Sequence, residues 1–197
     1  MRKINLIMPF SRAHLKDELI KFYEPMDIII HQIMYESEPY VDFKRDFVRP
    51  YFFPGEPLGP PFNVTLCLIN LFLQKHDFSD DDFYCTAPDD DAFAPGVLES
   101  IKLMDSDIVI ISMDRGPITE CVRNLIATPA FMYVGFVGGE QAFIKGKIFK
   151  DLRFDETADC ADGRMIESLK EKYEFRYEPD LWALFNYFNP EWWPERS

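Results

Sequence analysis

"INLIMPFSRAHLKDELIKFYEPMDIIIHQIM", residues 4–34, carries two different periodicities in three consecutive blocks. "INLIMPF" is a short apolar run closed by Pro9 and reads as a buried strand. Ser11 can cap the helix that follows, in which Leu15, Leu19 and Phe22 or Tyr23 recur at helical spacing. "MDIIIHQIM" then returns to β-branched residues and predicts a second strand. Strand, helix, strand at the start of a chain is the opening of a parallel α/β sheet.

The same alternation continues outward. "FNVTLCLINLFLQKH" predicts a helix with Phe62, Leu66, Ile69 and Leu73 on one face and Asn63 as a plausible cap. Further strands are expected near residues 83–87, 107–113 and 132–137, with helices from "PGVLESIKLM", "PITECVRNLIA" and "ADGRMIESLKEKY" and a short strand from "EFRYEP". No internal repeat or low-complexity tract interrupts them, so one domain is expected over 1–197. Residues 35–61 break the pattern: they hold six prolines and many aromatics without a period. A stretch this far beyond about 12–15 residues is either a packed surface excursion or a wall or lid of a binding site.

Composition narrows the function. The net charge is -13, and no basic run occurs, which argues against nucleic-acid binding. The four cysteines form no CxxC pair, so neither a zinc site nor a disulfide framework is expected, and a reducing cytoplasm is the expected location. "MRKINLIMPFSR" turns polar too early for a signal peptide, and no run approaches the roughly 20 apolar residues of a membrane span.

One motif stands out against this background, "FYCTAPDDDAFAPGV", residues 83–97. Three adjacent carboxylates repel one another and need water, basic neighbours or a metal ion to compensate them. Asp89, Asp90 and Asp91 follow a predicted strand, at the end where open α/β sheets bind ligands. In extended geometry Asp89 and Asp91 point to one side, a D-x-D pair suited to a hard divalent cation. A solvated acidic turn is the alternative, and "SDDD" at 79–82 shows that such triplets also occur elsewhere in the chain.

"FYCTAPDDDAFAPGVLESI" resembles the segment of GT-A-fold glycosyltransferases in which an apolar strand ends in a D-x-D motif before a "PG" helix start. The opening strand–helix–strand resembles their nucleotide-binding unit. "YVGFVGGEQAFIKGKIFKDLRFDET" and "ADGRMIESLKEKYEFRYEPDLWALFNYFNP" are similar to the later parts of small bacterial and phage members. The resemblance covers most of the chain except the proline-rich stretch. It implies a single GT-A-like, Rossmann-related domain with a mostly parallel central sheet flanked by helices. It also implies a metal-dependent transfer of a sugar from a UDP- or GDP-type nucleotide-sugar donor to an unidentified acceptor.

On that resemblance Asp89 and Asp91 hold Mn2+ or Mg2+ against the donor diphosphate, where the ion neutralises charge on the leaving group. Pro9, Ser11, Arg12, Asn63, Asp90, Gly138, Gly139 and Gln141 are the expected donor-binding residues, with Arg45 or Arg49 as possible helpers at the phosphates. Glu140 is a further candidate for sugar hydroxyls. Asp162, then Asp159, are the candidates for a catalytic base; either could instead cap the helix beside it. The histidines, His14, His31 and His76, all precede the acidic motif, so none stands where many family members add a metal ligand. Trp192 and Trp193 either pack on the domain, mediate a homo-oligomer or stack a sugar. A sugar nucleotidyltransferase is the alternative enzyme, although "MPFSRAHLKDE" lacks the glycine-rich loop such enzymes carry after their first strand. A non-catalytic carbohydrate- or protein-binding module is the third reading.

Overall fold

The computed structural model describes residues 2–38, 41–57, 59–60, 63–116, 124–131, 137–189 and 193. The opening pattern folds as read: β1 (Ile4–Pro9), a 3-10 turn (Ala13–Leu15), α1 (Lys16–Tyr23) and β2 (Ile28–Tyr35). Then come β3 (Val48–Phe53), α2 (Val64–Lys75), β4 (Phe83–Thr86), β5 (Ala92–Phe93), α3 (Val97–Lys102) and β6 (Ile108–Asp114). The chain continues with β7 (Asn124–Leu125), β8 (Ala142–Lys145), α4 (Gly146–Phe149), α5 (Ala161–Leu169) and β9 (Phe175–Leu184).

The strands form one sheet in the order β3-β2-β1-β4-β8-β6-β9-β5, with β7 added on β6. β1, β2, β3 and β4 pair in parallel, as do β6 and β9. β8 runs antiparallel between β4 and β6, β5 pairs antiparallel with β9, and β7 with β6. The sheet is therefore mixed rather than mostly parallel. The cause is local: "AFIK" has only four residues and follows a tight Gly138–Gln141 turn, so it enters the gap between β4 and β6 from their carboxyl end.

Strand alternation sorts the core into two layers. Ile4, Leu6 and Met8 of β1 face Leu19 and Tyr23 of α1 and Val97, Leu98 and Ile101 of α3. Ile7, Ile108, Ile110 and Ile144 face the other way, onto Leu66, Ile69, Phe72 and Leu73 of α2 and Met165, Ile166 and Leu169 of α5. Helices thus cover both faces. None of them is long and apolar enough to cross a membrane.

Other local expectations need correction. Ser11 caps no helix; the first helical turn starts later, and the Ser11 amide is used elsewhere. The proline-rich stretch hides β3, an edge strand in which Pro50 is tolerated because one side of the strand makes no ladder bonds. Asn124 and Leu125, expected in a helix, form β7; residues 117–123 of that segment, and the strand expected at 132–137 except Val137, lie outside the described residues. "EFRYEP" extends into the ten-residue β9.

Candidate functional site

Because β8 runs against its neighbours, its start lies at the carboxyl end of β1, β4 and β6. Four chain segments therefore meet there: Pro9–Arg12 after β1, Pro88–Asp91 after β4, Asp114 and Arg115 ending β6, and Gly138–Glu140 before β8. Asp162 from the first turn of α5 and Phe185 and Asn186 after β9 complete the wall.

They enclose a cleft with two lobes. The first, about 340 Å³, lies between Pro9–Arg12, Asp89, Asp90, Asn186 and Thr65 of α2. The second, of the same size, lies between Arg115, Gly138, Glu140, Cys160 and Asp162. Pro88 and Phe185 belong to both. On the far side of Arg12 and Asp90 a wider basin of about 670 Å³ opens between His14, Glu18, Asn186 and Asn189.

The acidic triplet sits in a turn, not in a strand: β4 ends at Thr86, and the Asp91 amide donates to the Pro88 carbonyl at 3.3 Å. Strand alternation therefore does not apply, and the three carboxylates go three ways. Asp89, 1% exposed, accepts the Ser11 and Arg12 amides on one oxygen at 2.8 and 2.7 Å and the Arg12 guanidinium on the other. Asp90 lines the first lobe, with Arg12 Nη2 at 3.1 Å. Asp91 is wholly buried; one oxygen accepts the Asn186 amide at 2.8 Å and the other meets no donor among the described residues. Burial first, and the charge of Glu140 second, push its carboxyl well above the usual range.

Asp89 and Asp91 were the residues expected to hold a divalent cation. In this arrangement both Asp89 oxygens are engaged and Asp91 faces inward, so the pair presents no shared free edge to an ion. Among the described residues no three His, Cys, Asp or Glu side chains are grouped so as to hold a metal.

The facing wall is built by glycine. A Cβ on Gly139 would lie 2.0 Å from Thr86 Oγ1, so only glycine lets this turn lie against β4. The buried Cys85 thiol bonds the Gly139 carbonyl from the same strand. Asp162 accepts the Gly139 amide at 3.0 Å and the Gly163 amide at 2.8 Å, which fixes its carboxylate on the lobe. It is not the helix cap; Cys160 holds that position without a side-chain bond.

Glu140, expected only as a possible sugar contact, is a buried carboxyl on the wall of the second lobe. It is 8% exposed, and burial raises its pKa to about 7, with Asp162 and Asp90 adding to the rise and Arg115 opposing it. Arg115 has its Nε buried without an acceptor among the described residues and its guanidinium 5.9 Å from the Phe185 ring centroid. A glutamate directly after a glycine pair gives no sequence signal of burial. The direction of β8 creates it.

Several expected residues are placed elsewhere. Asn63 caps α2, accepting the Leu66 amide at 3.3 Å. Gln141 is buried and ties Ile111 O to the Gly138 amide. Asp159 is exposed and lines neither lobe. Arg45 pairs with Glu24, and Arg49 lies on β3. Trp193 packs on the domain, donating to Phe185 O at 2.9 Å, while Trp192 lies outside the described residues.

No protein-family model matches this chain, and no curated protein matches it in sequence. Among solved structures, a UTP-bound UGPase from Acinetobacter baumannii aligns with a TM-score of 0.52, over 98% of this chain and 92% of its own, at 10% identity. At that identity the likeness is one of fold alone, that of an α/β protein whose mixed sheet is covered by helices.

Proposed function

We propose that the cleft binds a nucleotide or nucleotide-sugar and that the protein is a transferase acting on it, with nucleotidyl transfer to a sugar phosphate as the leading reaction. The observation that carries this reading is the cleft itself. Two arginines, Arg12 and Arg115, flank a two-lobed opening at the carboxyl ends of the strands, among carboxylates held in fixed positions. The likeness in fold to a UTP-bound UGPase along nearly the whole chain supports the nucleotide part.

The roles follow from the side chains. Guanidinium groups suit phosphate oxygens because they offer several donors in a plane. Asp162, pinned by two amides, suits hydrogen bonds from sugar hydroxyls. Glu140, with a pKa of about 7, can hold or release a proton near neutrality beside the second lobe.

Sugar transfer from a nucleotide-sugar donor is the second reading, and one observation favours it. The loop after β1 has no glycine, and its Ser11 and Arg12 amides already bind Asp89 instead of lying open to a triphosphate. One assay separates the two. The protein is incubated with UTP and a sugar 1-phosphate, or with a UDP-sugar, each with and without magnesium or manganese. Pyrophosphate release that requires the sugar phosphate supports nucleotidyl transfer, and UDP release from the UDP-sugar supports sugar transfer. Absence of nucleotide binding by calorimetry removes both and leaves a binding module.

A further inference from the structure

Arg12 occupies an unusual place. It forms the partition between the first lobe and the outer basin, with 43% of its side chain exposed, and it is already ion-paired on two sides. Its two partners differ in what they need from it. Asp89 takes two backbone amides on one oxygen, so its charge is met by the β1 loop even without the guanidinium. Asp90 has much less. The groups that favour its ionised form are Arg12 and its own backbone amide, while burial and Asp89 work against it. Its Oδ2 lies 3.1 Å from Arg12 Nη2, on the face that both openings share.

We propose that Asp90 is the resting counter-ion of Arg12, a built-in competitor that any phosphorylated ligand must displace from the guanidinium. The inference rests on the reading that the cleft takes a phosphorylated ligand. A phosphate entering the first lobe meets Arg12 as the cation of its described lining, with Asp89 on Nη1 and Asp90 on Nη2. Gaining the phosphate contact costs the Asp90 contact and leaves two like charges side by side in a poorly solvated place. Around Asp90, the buried Asp89 and Asp91, Glu140 of the second lobe, Glu38 on the first lobe and Glu18 in the basin are acids and cannot replace Arg12 as partner; His14 lines the basin beyond Arg12 and not the first lobe. Small free anions are therefore held weakly. A ligand with further contacts, to Arg115 or to the sugar-facing wall, overcomes the competition. Asp90 thus acts as a specificity-determining residue, selecting against phosphate alone.

The test uses inorganic pyrophosphate, which has neither base nor sugar, and measures its affinity calorimetrically in the full chain. Asp90→Asn keeps the shape and removes the charge, and is expected to tighten pyrophosphate binding about tenfold. Arg12→Gln is expected to weaken it by at least as much, and the double variant should bind no better than Arg12→Gln alone. Asp90→Ser serves as a second charge-removing variant should the first lose its thermal transition. Equal or weaker pyrophosphate binding in the folded Asp90 variants overturns the inference, as does a gain that survives loss of Arg12. Failure of wild type and variants alike to bind pyrophosphate at millimolar concentration also overturns it. UTP and a UDP-sugar, run in parallel, test the nucleotide reading separately: tighter pyrophosphate binding in Asp90→Asn without any nucleotide binding would leave the counter-ion in place and remove the nucleotide.

Discussion

Two buried polar regions lie on the same sheet and solve opposite problems. At the carboxyl ends of the strands, Asp90, Asp91 and Glu140 are carboxyls raised by burial around an open cleft. Under α2, toward the other end of β1, His31, Asn5, His76, Tyr51 and Tyr84 form a nest of neutral groups packed among Phe72 and Phe78. His31 Nε2 donates to Asn5 Oδ1 at 3.0 Å, and Asn5 Nδ2 donates to Phe83 O, which fixes both the amide and the tautomer. His31 Nδ1 has no partner among the described residues. His31 and His76 line none of the lobes around the cleft. A buried polar group that lines a cavity and titrates near neutrality is available to a ligand. One sealed among rings is available only to the fold.

The difference has a sign in pH. Burial lowers the His31 pKa to about 3 from 6.5, with His76 and Arg49 adding to the drop. The folded state then binds fewer protons than the unfolded state, so this contribution is present above pH 6.5 and is lost as pH falls toward 3. Its full size is about 5 kcal/mol at 1.36 kcal/mol per unit. Urea unfolding from pH 7 down to pH 4 should show a large loss of stability. His31→Gln, which retains a donor for Asn5 and does not titrate, should flatten most of it. An unchanged slope would place the acid sensitivity elsewhere.

Glu140 runs the other way. Its pKa is raised, from 4.5 to about 7, so its contribution is present below pH 4.5 and lost as pH rises through 7. Glu140→Gln should therefore stabilise the protein by about 3 kcal/mol at pH 8 and by nothing measurable at pH 4. Equal stability at both pH values would mean that the cleft already compensates the charge. Together the two variants would break the comparison into its halves, one flattening the acid limb and one the neutral limb.

A third expectation concerns packing at the cleft wall. Gly139→Ala places a methyl against Thr86 Oγ1, and the β-branched Thr86 has little freedom to turn away. Such overpacking costs about 2 kcal/mol. Thr86→Ala in the same chain should recover most of the loss in thermal unfolding. No recovery would show that the turn, rather than the contact, resists the substitution.

How much of this was readable in the sequence differs between the regions. The β1–α1–β2 unit was legible because each element carries its own period, and α2 because its apolar face and Asn63 agree. β3 was hidden by Pro50, and β8 by its four-residue length. The acidic triplet announced a site, but its three separate directions depend on the Pro88–Asp91 turn, which no local pattern reveals. Glu140 reads only as a possible sugar contact, because its burial comes from a strand running against its neighbours and has no local signature. The nest under α2 gave no sign at all, since single histidines in strands and helix ends are compatible with many surroundings.

The smallest expected effect is at Asn63, and it sharpens the border of the cleft. The resemblance made Asn63 a donor-binding residue, whereas its side chain accepts the Leu66 amide and its own amide donates to Glu156 O at 2.8 Å. The first bond is the ordinary work of a helix cap, satisfying a backbone donor that the first turn leaves unpaired, and the second ties the cap to the segment before α5. The neighbouring Val64 and Thr65 line the first lobe; Asn63 itself is exposed and does not. Asn63→Ala should thus cost about 1 kcal/mol of stability and leave pyrophosphate and nucleotide affinity unchanged. Asn63→Asp, which keeps the acceptor, should restore the stability. If affinity instead falls in the alanine variant and returns with aspartate, α2 is positioning Thr65 on the lobe through its cap. If affinity falls in both while stability is kept in the aspartate variant, the amide touches the ligand directly, and the cleft extends past Thr65 to the start of the helix.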